Sequence, residues 1–325
     1  MLTQIRRKIV QKNVKKYSEL RIEDRWDTKV GSHIFKYSHL CKQRYSKEKM
    51  AESFENLSLE MIPYYKVDNE IYNLILCTSG TFIKGSENSQ DKNPIEEMKI
   101  EKAFLLGETE VTQELYQAVM GENPSHFKGA KNPVENVSWY DALIFCNRLS
   151  DIFDLDRYYT FGNSIKIGGT RLVPEEKTYY HIEMHKNSKG FRLPTEWEWE
   201  YAAKAGTQLK YSGSDNVDEV GWHSQNSYEI LRHAAITMNR YHTTHPVKQK
   251  NPNAWGFYDM SGNVSEWCED EEVPFLSQHF VNSPRRYRGG DFNSASYNLC
   301  PTHRPNSSSP AFHFNTLGFR VCKYI

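Results

Sequence analysis

With 41 basic and 41 acidic side chains along 325 residues, the chain carries no formal net charge. That balance excludes the global field by which a protein gathers on nucleic acid or an anionic membrane, so no nucleic-acid partner is expected. No apolar run reaches the ~18 residues of a membrane-crossing helix, and 25% charged with 13% aromatic residues describes a folded chain with aromatic surface to bury or display.

Residues 1–66 are rich in Lys and Arg and poor in Gly. RKIVQKNVKKYSELRIEDRW and KEKMAESFENLSLEM repeat apolar residues at helical spacing, which predicts a helical, basic N-terminal extension. Its basic face reads as a solvated one rather than a partner surface. MLTQIRRKIV lacks the apolar core of a signal peptide, and Cys41 in SHLCKQ lacks the apolar run that a lipoprotein signal needs.

From residue 67 to residue 325 the texture changes to short strands punctuated by Gly, Pro and Asn. IYNLILC, Ile71 to Cys77, has the length of a buried strand, and GTFIKGS reads as strand and turn. Three helices announce their starts. Thr112 caps one with Leu115, Tyr116 and Val119 on its apolar face; Ser138 with Asp141 caps a second; Thr195 with an acidic first turn caps a third. Beyond Ala205 no long helical period survives, so the class is α+β, irregular and loop-rich. The six cysteines form no CxxC pair and are too scattered for a zinc framework, which favours free buried thiols, with one or two disulfides open to an exported chain. His233, His242 and His245 lie close in sequence but lack metal-ligand spacing.

Seven segments in order carry a family resemblance: GTFIKGS, GETEVTQELYQAVMGENPS, NPVENVSWYDALIFCNRLS, GFRLPTEWEWEYAAKAG, HPVKQKNPNAWGFYDMSGNVSEWCED, RGGDFN and LGFRVC. Together they resemble the formylglycine-generating-enzyme (sulfatase-modifying factor) family, which implies an irregular C-type lectin fold. That fold hosts both enzymes and binding modules. The enzymes place two reactive, copper-binding cysteines soon after RGG. The positions implied for them here are Ser294 and Leu299, while Cys300 stands one place off and Cys322 follows GFR. A copper site or disulfide needs two thiols within reach of each other, so the enzymatic activity is not expected.

The segment after RGG is unusual in what it omits. Asp291 to Arg320 contains no Lys, Glu, Gln, Met or Trp, although these are common elsewhere in the chain. They are the residue types that an Asn codon cannot encode when its adenines are replaced at random. RGG, Arg304 and LGFRVC punctuate the segment as if fixed. In this it resembles the variable region of diversity-generating-retroelement proteins, including a spirochaete example, in which copying from a template scrambles Asn codons at surface positions. Ordinary family members also carry an Asn- and Ser-rich tail here. The distinguishing content is Phe292, Tyr297, His303, Phe312, His313 and Phe314, because aromatics in a polar loop solvate poorly but anchor ligands well.

The resemblance implies a non-enzymatic receptor binding through this segment. The candidate contact residues before Arg304 are Asp291, Phe292, Asn293, Ser294, Ser296, Tyr297, Asn298, Cys300, Thr302 and His303. After it come Pro305, Asn306, Ser307, Ser308, Ala311, Phe312, His313, Phe314 and Asn315. Phe292 also fits a core role, since the family carries a buried Trp there. Leu299 and Leu317 fit the core, and Arg304 and Arg320 fit clamps on carbonyls or carboxylates. No cofactor is required; Asn263 and Glu266 in GNVSEW match a family calcium pattern and equally an ordinary turn. The expected partner is a macromolecule, a protein on a host or neighbouring cell, met by a monomer at the cell surface; a cytoplasmic location is the alternative. The rival function is a modifying oxygenase with a non-standard site.

Overall fold

Each of the three longer helices begins at a residue whose side chain caps it. The computed structural model describes residues 64–67, 72–85, 95–167, 177–231, 239–271, 283–304 and 307–325. Helix α1 (Gln113–Met120) starts at Thr112, whose hydroxyl accepts from the Leu115 amide; Leu115, Tyr116 and Val119 turn inward. Helix α2 (Trp139–Ile152) is opened by a reciprocal capping box between Ser138 and Asp141. The same device between Thr195 and Glu198 opens α3 (Glu196–Lys204). Only a single-turn helix, α4 (Val217–Val220), and a 3₁₀ turn (Ser296–Leu299) follow among the described residues.

The strands are short and fall into separate sheets. Strands β1 (Tyr64–Val67), β2 (Leu74–Cys77), β5 (Phe104–Gly107) and β14 (Cys322–Tyr324) pair antiparallel in that order, so the C-terminal strand closes beside the first ones. A second sheet runs in the order β12 (Ser307–Ser308), β11 (Arg285–Arg288), β10 (Ser265–Glu271), β13 (Leu317–Gly318), with β10 and β13 parallel. Three hairpins stand apart: β3–β4 (Gly80–Lys84, Glu96–Ile100), β6–β7 (Tyr159–Ile167, Lys177–Met184) and β8–β9 (Tyr228–Leu231, Asn239–His242). Strand β1, already part of the first sheet, starts three residues before position 67. The expected N-terminal helices, Cys41 and His233 lie outside the described residues.

Two apolar clusters hold these layers together. The larger joins α1 and α2 to Trp267, Phe319 and Val321; the second gathers Trp199 of α3 with Cys77, Phe104, Trp255, Phe257 and Cys322. Reciprocal indole bonds tie α2 to β10: Trp139 Nε1 donates to the Cys268 carbonyl, and Trp267 Nε1 to that of Val137. Each indole thereby contributes area without leaving its N–H unpaired.

Between the clusters lies a buried ion pair. Arg320 donates from Nε and Nη2 to both oxygens of Glu266, each at 2.6 Å, and also to the carbonyls of Gly107 and Tyr258. Trp199 Nε1 adds a third donor to Glu266 at 2.8 Å. The pair thus joins β5, β10, α3 and the end of the C-terminal segment, its guanidinium in the fork geometry that Arg alone supplies. Removing one charge strands the other, so Glu266→Gln and Arg320→Met are each expected to lower unfolding free energy by about 3–5 kcal/mol in urea titrations.

Candidate ligand-binding surface

The segment from Arg288 to Arg320 is held at fixed points and open between them. Arg288 is fully buried; its Nη1 donates to Glu196 Oε1 at 2.6 Å and its Nη2 to Glu200 Oε2 at 2.7 Å and to the Pro301 carbonyl. Arg304 returns to the same carboxylate, Nε to Oε1 and Nη2 to Oε2 at 2.7 Å, while its guanidinium lies 4.3 Å from the centre of the Trp197 ring. Glu196 therefore clasps the chain just before and just after a first arm, residues 291–303. The two guanidinium groups outweigh its burial and lower its pKa, so it stays charged. The acidic first turn of α3, expected to serve the helix dipole, instead pairs with arginines: Glu196 with Arg288 and Arg304, and Glu198 with Arg192.

Within the arm, Leu299 is fully buried against Tyr211 and Val220, and its carbonyl accepts from Ser261 Oγ. Gly290 has a φ of +69° and a Cβ there would come within 2.9 Å of Leu299, so both backbone and space demand glycine. Asp291 organises the turn, its carboxylate accepting from the Asn293 amide and the Ser265 hydroxyl. Ser265 also donates its amide to the Thr316 carbonyl at 2.8 Å. The start of the first arm and the end of the second, residues 307–316, therefore meet at one residue of β10.

The candidate contact residues divide by burial. Asn293, Tyr297, Phe312, His313, Phe314 and Asn315 are exposed, Tyr297 at 51% and Phe314 at 43%. Ser294, Ser296, Asn298, Cys300, His303 and Ala311 are half-buried, as are Asp291 and the strand residues Ser307 and Ser308. The exposed rings are paired edge-on, Tyr297 with His303 and Phe312 with Phe314. Phe292 and Thr302 depart from the expectation of contact: both are buried, and Phe292 packs edge-on against Phe127, 5.2 Å between ring centres. Phe292 takes the core role that the family's Trp implied. Pro305 and Asn306 lie outside the described residues.

The two residues of the calcium pattern have protein partners. Both Glu266 oxygens are engaged by Arg320 and Trp199, and the Asn263 amide pairs with the backbone of His245 from both sides. Gly262 and Asn263 have φ of +95° and +62°, the left-handed turn that Gly and Asn adopt most readily. These two side chains build a turn and an ion pair. The copper-binding arrangement is not matched either, since Leu299 offers no donor and Ser294 is half-buried in backbone and side-chain bonds to Asp291 and Ser224. No two of the five described cysteines form a disulfide; four are buried, and Cys300 is half-buried against the cluster of Tyr211, Val220 and Leu299. Among the described residues no three His, Cys, Asp or Glu side chains are grouped to hold a metal.

Sequence reasoning missed the loop at 123–136, which carries Phe127. Buried Gln113 accepts from the Asn123 side chain and the Gly129 amide and donates to the carbonyls of Phe127 and Pro133. Glu135, also buried, accepts from the Phe127 amide at 2.8 Å. The signal was the polar pair Gln113 and Glu135 flanking a Pro/Gly/Asn loop, residues that fold inward only when backbone groups need them.

Residues 64–325 match the sulfatase-modifying factor enzyme 1-like domain, and the chain belongs to that family. The solved structure of Treponema denticola variable protein 1 superposes with a TM-score of 0.64 at 33% identity, covering 78% of this chain and 95% of that one. The chain is similar to the chaperone protein LppX of Paenibacillus barcinonensis, 39% identical over 60% of this chain and 70% of that protein. It is also similar to the formylglycine-generating enzyme of Streptomyces coelicolor, 32% identical over 40% of this chain and 46% of the enzyme. The fold is thus the α+β, C-type-lectin-like one that the sequence implied.

The burial pattern makes two measurable statements. Replacing Tyr297, Phe312 or Phe314 by Ser is expected to change stability by less than about 0.5 kcal/mol. Phe292→Ala is expected to cost about 3 kcal/mol or more, both measured by chemical denaturation. A pH effect follows from Glu135. Burial raises its pKa to about 7, against the amides of Phe127 and His126 and the charge of Lys128. A carboxyl raised in the folded state holds a proton that the unfolded chain releases, so stability falls as pH climbs from the ordinary Glu value to about 7. Glu269, raised to about 7, and Asp259 and Asp270, raised to about 6, act with the same sign. Unfolding free energy is expected to be lower at pH 8 than at pH 6, and Glu135→Gln to shrink that difference by about 1 kcal/mol.

Proposed function

We propose that the chain is a non-enzymatic receptor that binds a macromolecular ligand through the two C-terminal arms, at positions diversified from Asn codons. The observation that carries this reading is the division between frame and content. Arg288, Leu299, Arg304, Leu317 and Arg320 are the anchors, and all but Arg304 are buried. Tyr297, Phe312, His313 and Phe314 are exposed between them. Exposed rings on a clamped backbone lose little entropy on binding, and few core contacts change when they are exchanged. The likeness to a variable protein over 95% of its length supports the reading at the level of the fold. The ligand is a protein on a host or neighbouring cell, which places the receptor at the cell surface, as a monomer that needs no cofactor.

Two experiments test this. The genomic neighbourhood is expected to hold a reverse transcriptase and a near-copy of the 3′ end with AAC or AAT at the codons of Tyr297, Phe312 and Phe314. A locus without such a copy overturns diversification. Incubation of copper-loaded protein with oxygen and a cysteine-containing sulfatase peptide is expected to leave the cysteine unchanged by mass spectrometry. Formation of formylglycine overturns the non-enzymatic reading.

A further inference from the structure

The binding surface proposed above is defined by residues that would vary, yet the structure sets a constant element between its two arms. Phe127 meets the first arm through Phe292, edge-on at 5.2 Å, and His126 continues the series edge-on to Phe127 at 4.7 Å. Burial falls along this ladder from Phe292, at 3% exposed, through half-buried Phe127 to exposed His126. The same loop meets the second arm where the Asn136 amide donates to the Phe314 carbonyl at 2.9 Å. Asn136 is also tied back by its side chain to the Pro124 carbonyl.

The loop is rigid for reasons internal to it. Gln113 bonds its backbone at Phe127, Gly129 and Pro133, Glu135 holds the Phe127 amide, and Ser125 Oγ accepts from the Glu135 amide. None of these residues lies in the variable segment, so the backbone that carries Phe127 keeps its place whatever the arms carry. A rigid, partly exposed aromatic at the centre of a contact patch, ringed by adaptable polar residues, is the arrangement of a binding hot spot.

We infer that His126 and Phe127 form a constant anchor of the ligand-binding surface, contacting the same protein ligand as both arms and favouring neutral, apolar protein patches. The preference follows from charge: the exposed arm residues Asn293, Tyr297, Phe312, His313, Phe314 and Asn315 include no carboxylate, Lys or Arg. The anchor loop adds the exposed Lys128, whose ammonium donates to the Asn123 carbonyl, while arms without fixed charge of their own gain little from a charged partner and desolvate at low cost against an apolar one. The inference rests on the receptor reading and adds residues that diversification does not reach.

The test is a display library of the full chain randomised at those six positions and selected on ubiquitin, a small protein with a neutral apolar patch. In selected clones, Phe127→Ala is expected to weaken binding at least tenfold, Phe127→Tyr to restore most of it, and affinity to change less than about threefold between 50 and 500 mM salt. Because Phe127→Ala could act by loosening Phe292, a contact readout is needed: a photoreactive benzoylphenylalanine at position 126, where the side chain is exposed, is expected to cross-link ubiquitin. Binders that neither cross-link from 126 nor respond to Phe127→Ala overturn the anchor and leave the receptor reading standing. Binders whose affinity collapses with salt overturn the neutral-patch preference. A library that yields no binders while its members remain folded overturns the receptor reading, and the anchor with it.

Discussion

The Glu266–Arg320 pair is the contact on which the rest of this structure depends. Its four donor nitrogens and four acceptor oxygens come from parts of the chain that share no secondary structure: β5, the loop at Tyr258, α3, β10 and the residue that ends the C-terminal segment. A domain whose strands are mostly no more than four residues long has little sheet with which to fix its own geometry. Buried charge supplies it instead. Burial raises the pKa of Glu110 and Asp259, the charge of Glu266 adds to it and Arg320 opposes it, so the centre tolerates one full carboxylate best when Arg320 faces it. The pair is therefore better understood as a device for specifying one arrangement than as a large store of stability.

The same logic recurs at the surface. Glu196 receives Arg288 and Arg304, and the chain between them is closed into a loop whose ends cannot drift apart. Leu299 then pins the middle of that loop in a small apolar pocket of its own. The second arm is fixed more lightly, by the two-residue strand β12, by the Pro310 carbonyl that accepts from Trp139 and by the bond from Asn136. Function on such a loop depends on the scaffold doing the positioning, because side chains chosen for contact cannot also be chosen for packing.

How much of this was legible beforehand depended on whether the signal was local. The caps at Thr112, Ser138 and Thr195 were readable because a cap is decided within four residues. The frame residues Leu299, Leu317, Arg304 and Arg320 were readable because they interrupt a segment of otherwise uniform composition. The roles of Glu196, Gln113 and Glu135 were not, since each is satisfied by partners far away in sequence or inside a loop with no periodicity. Phe292 was ambiguous for a related reason: an aromatic flanked by polar residues looks alike whether it turns in or out, and only the ring of Phe127 decides it. Glu266 matched a metal pattern because a carboxylate fit for a cation is equally fit for a guanidinium, and its guanidinium partner lies 54 positions away.

That last substitution of partners bears on how one fold supports different uses. A metal-dependent site needs donors that remain unengaged until the ion arrives, and such donors are costly to bury. Here the carboxylate at the centre is matched by Arg320, and the position that would need a second thiol carries Leu299. On the receptor reading, the segment above such a frame is released from chemical constraint. Its residues have only to stay compatible with a frame that is already complete, which is the condition under which wide variation at an exposed loop is tolerated without loss of the fold.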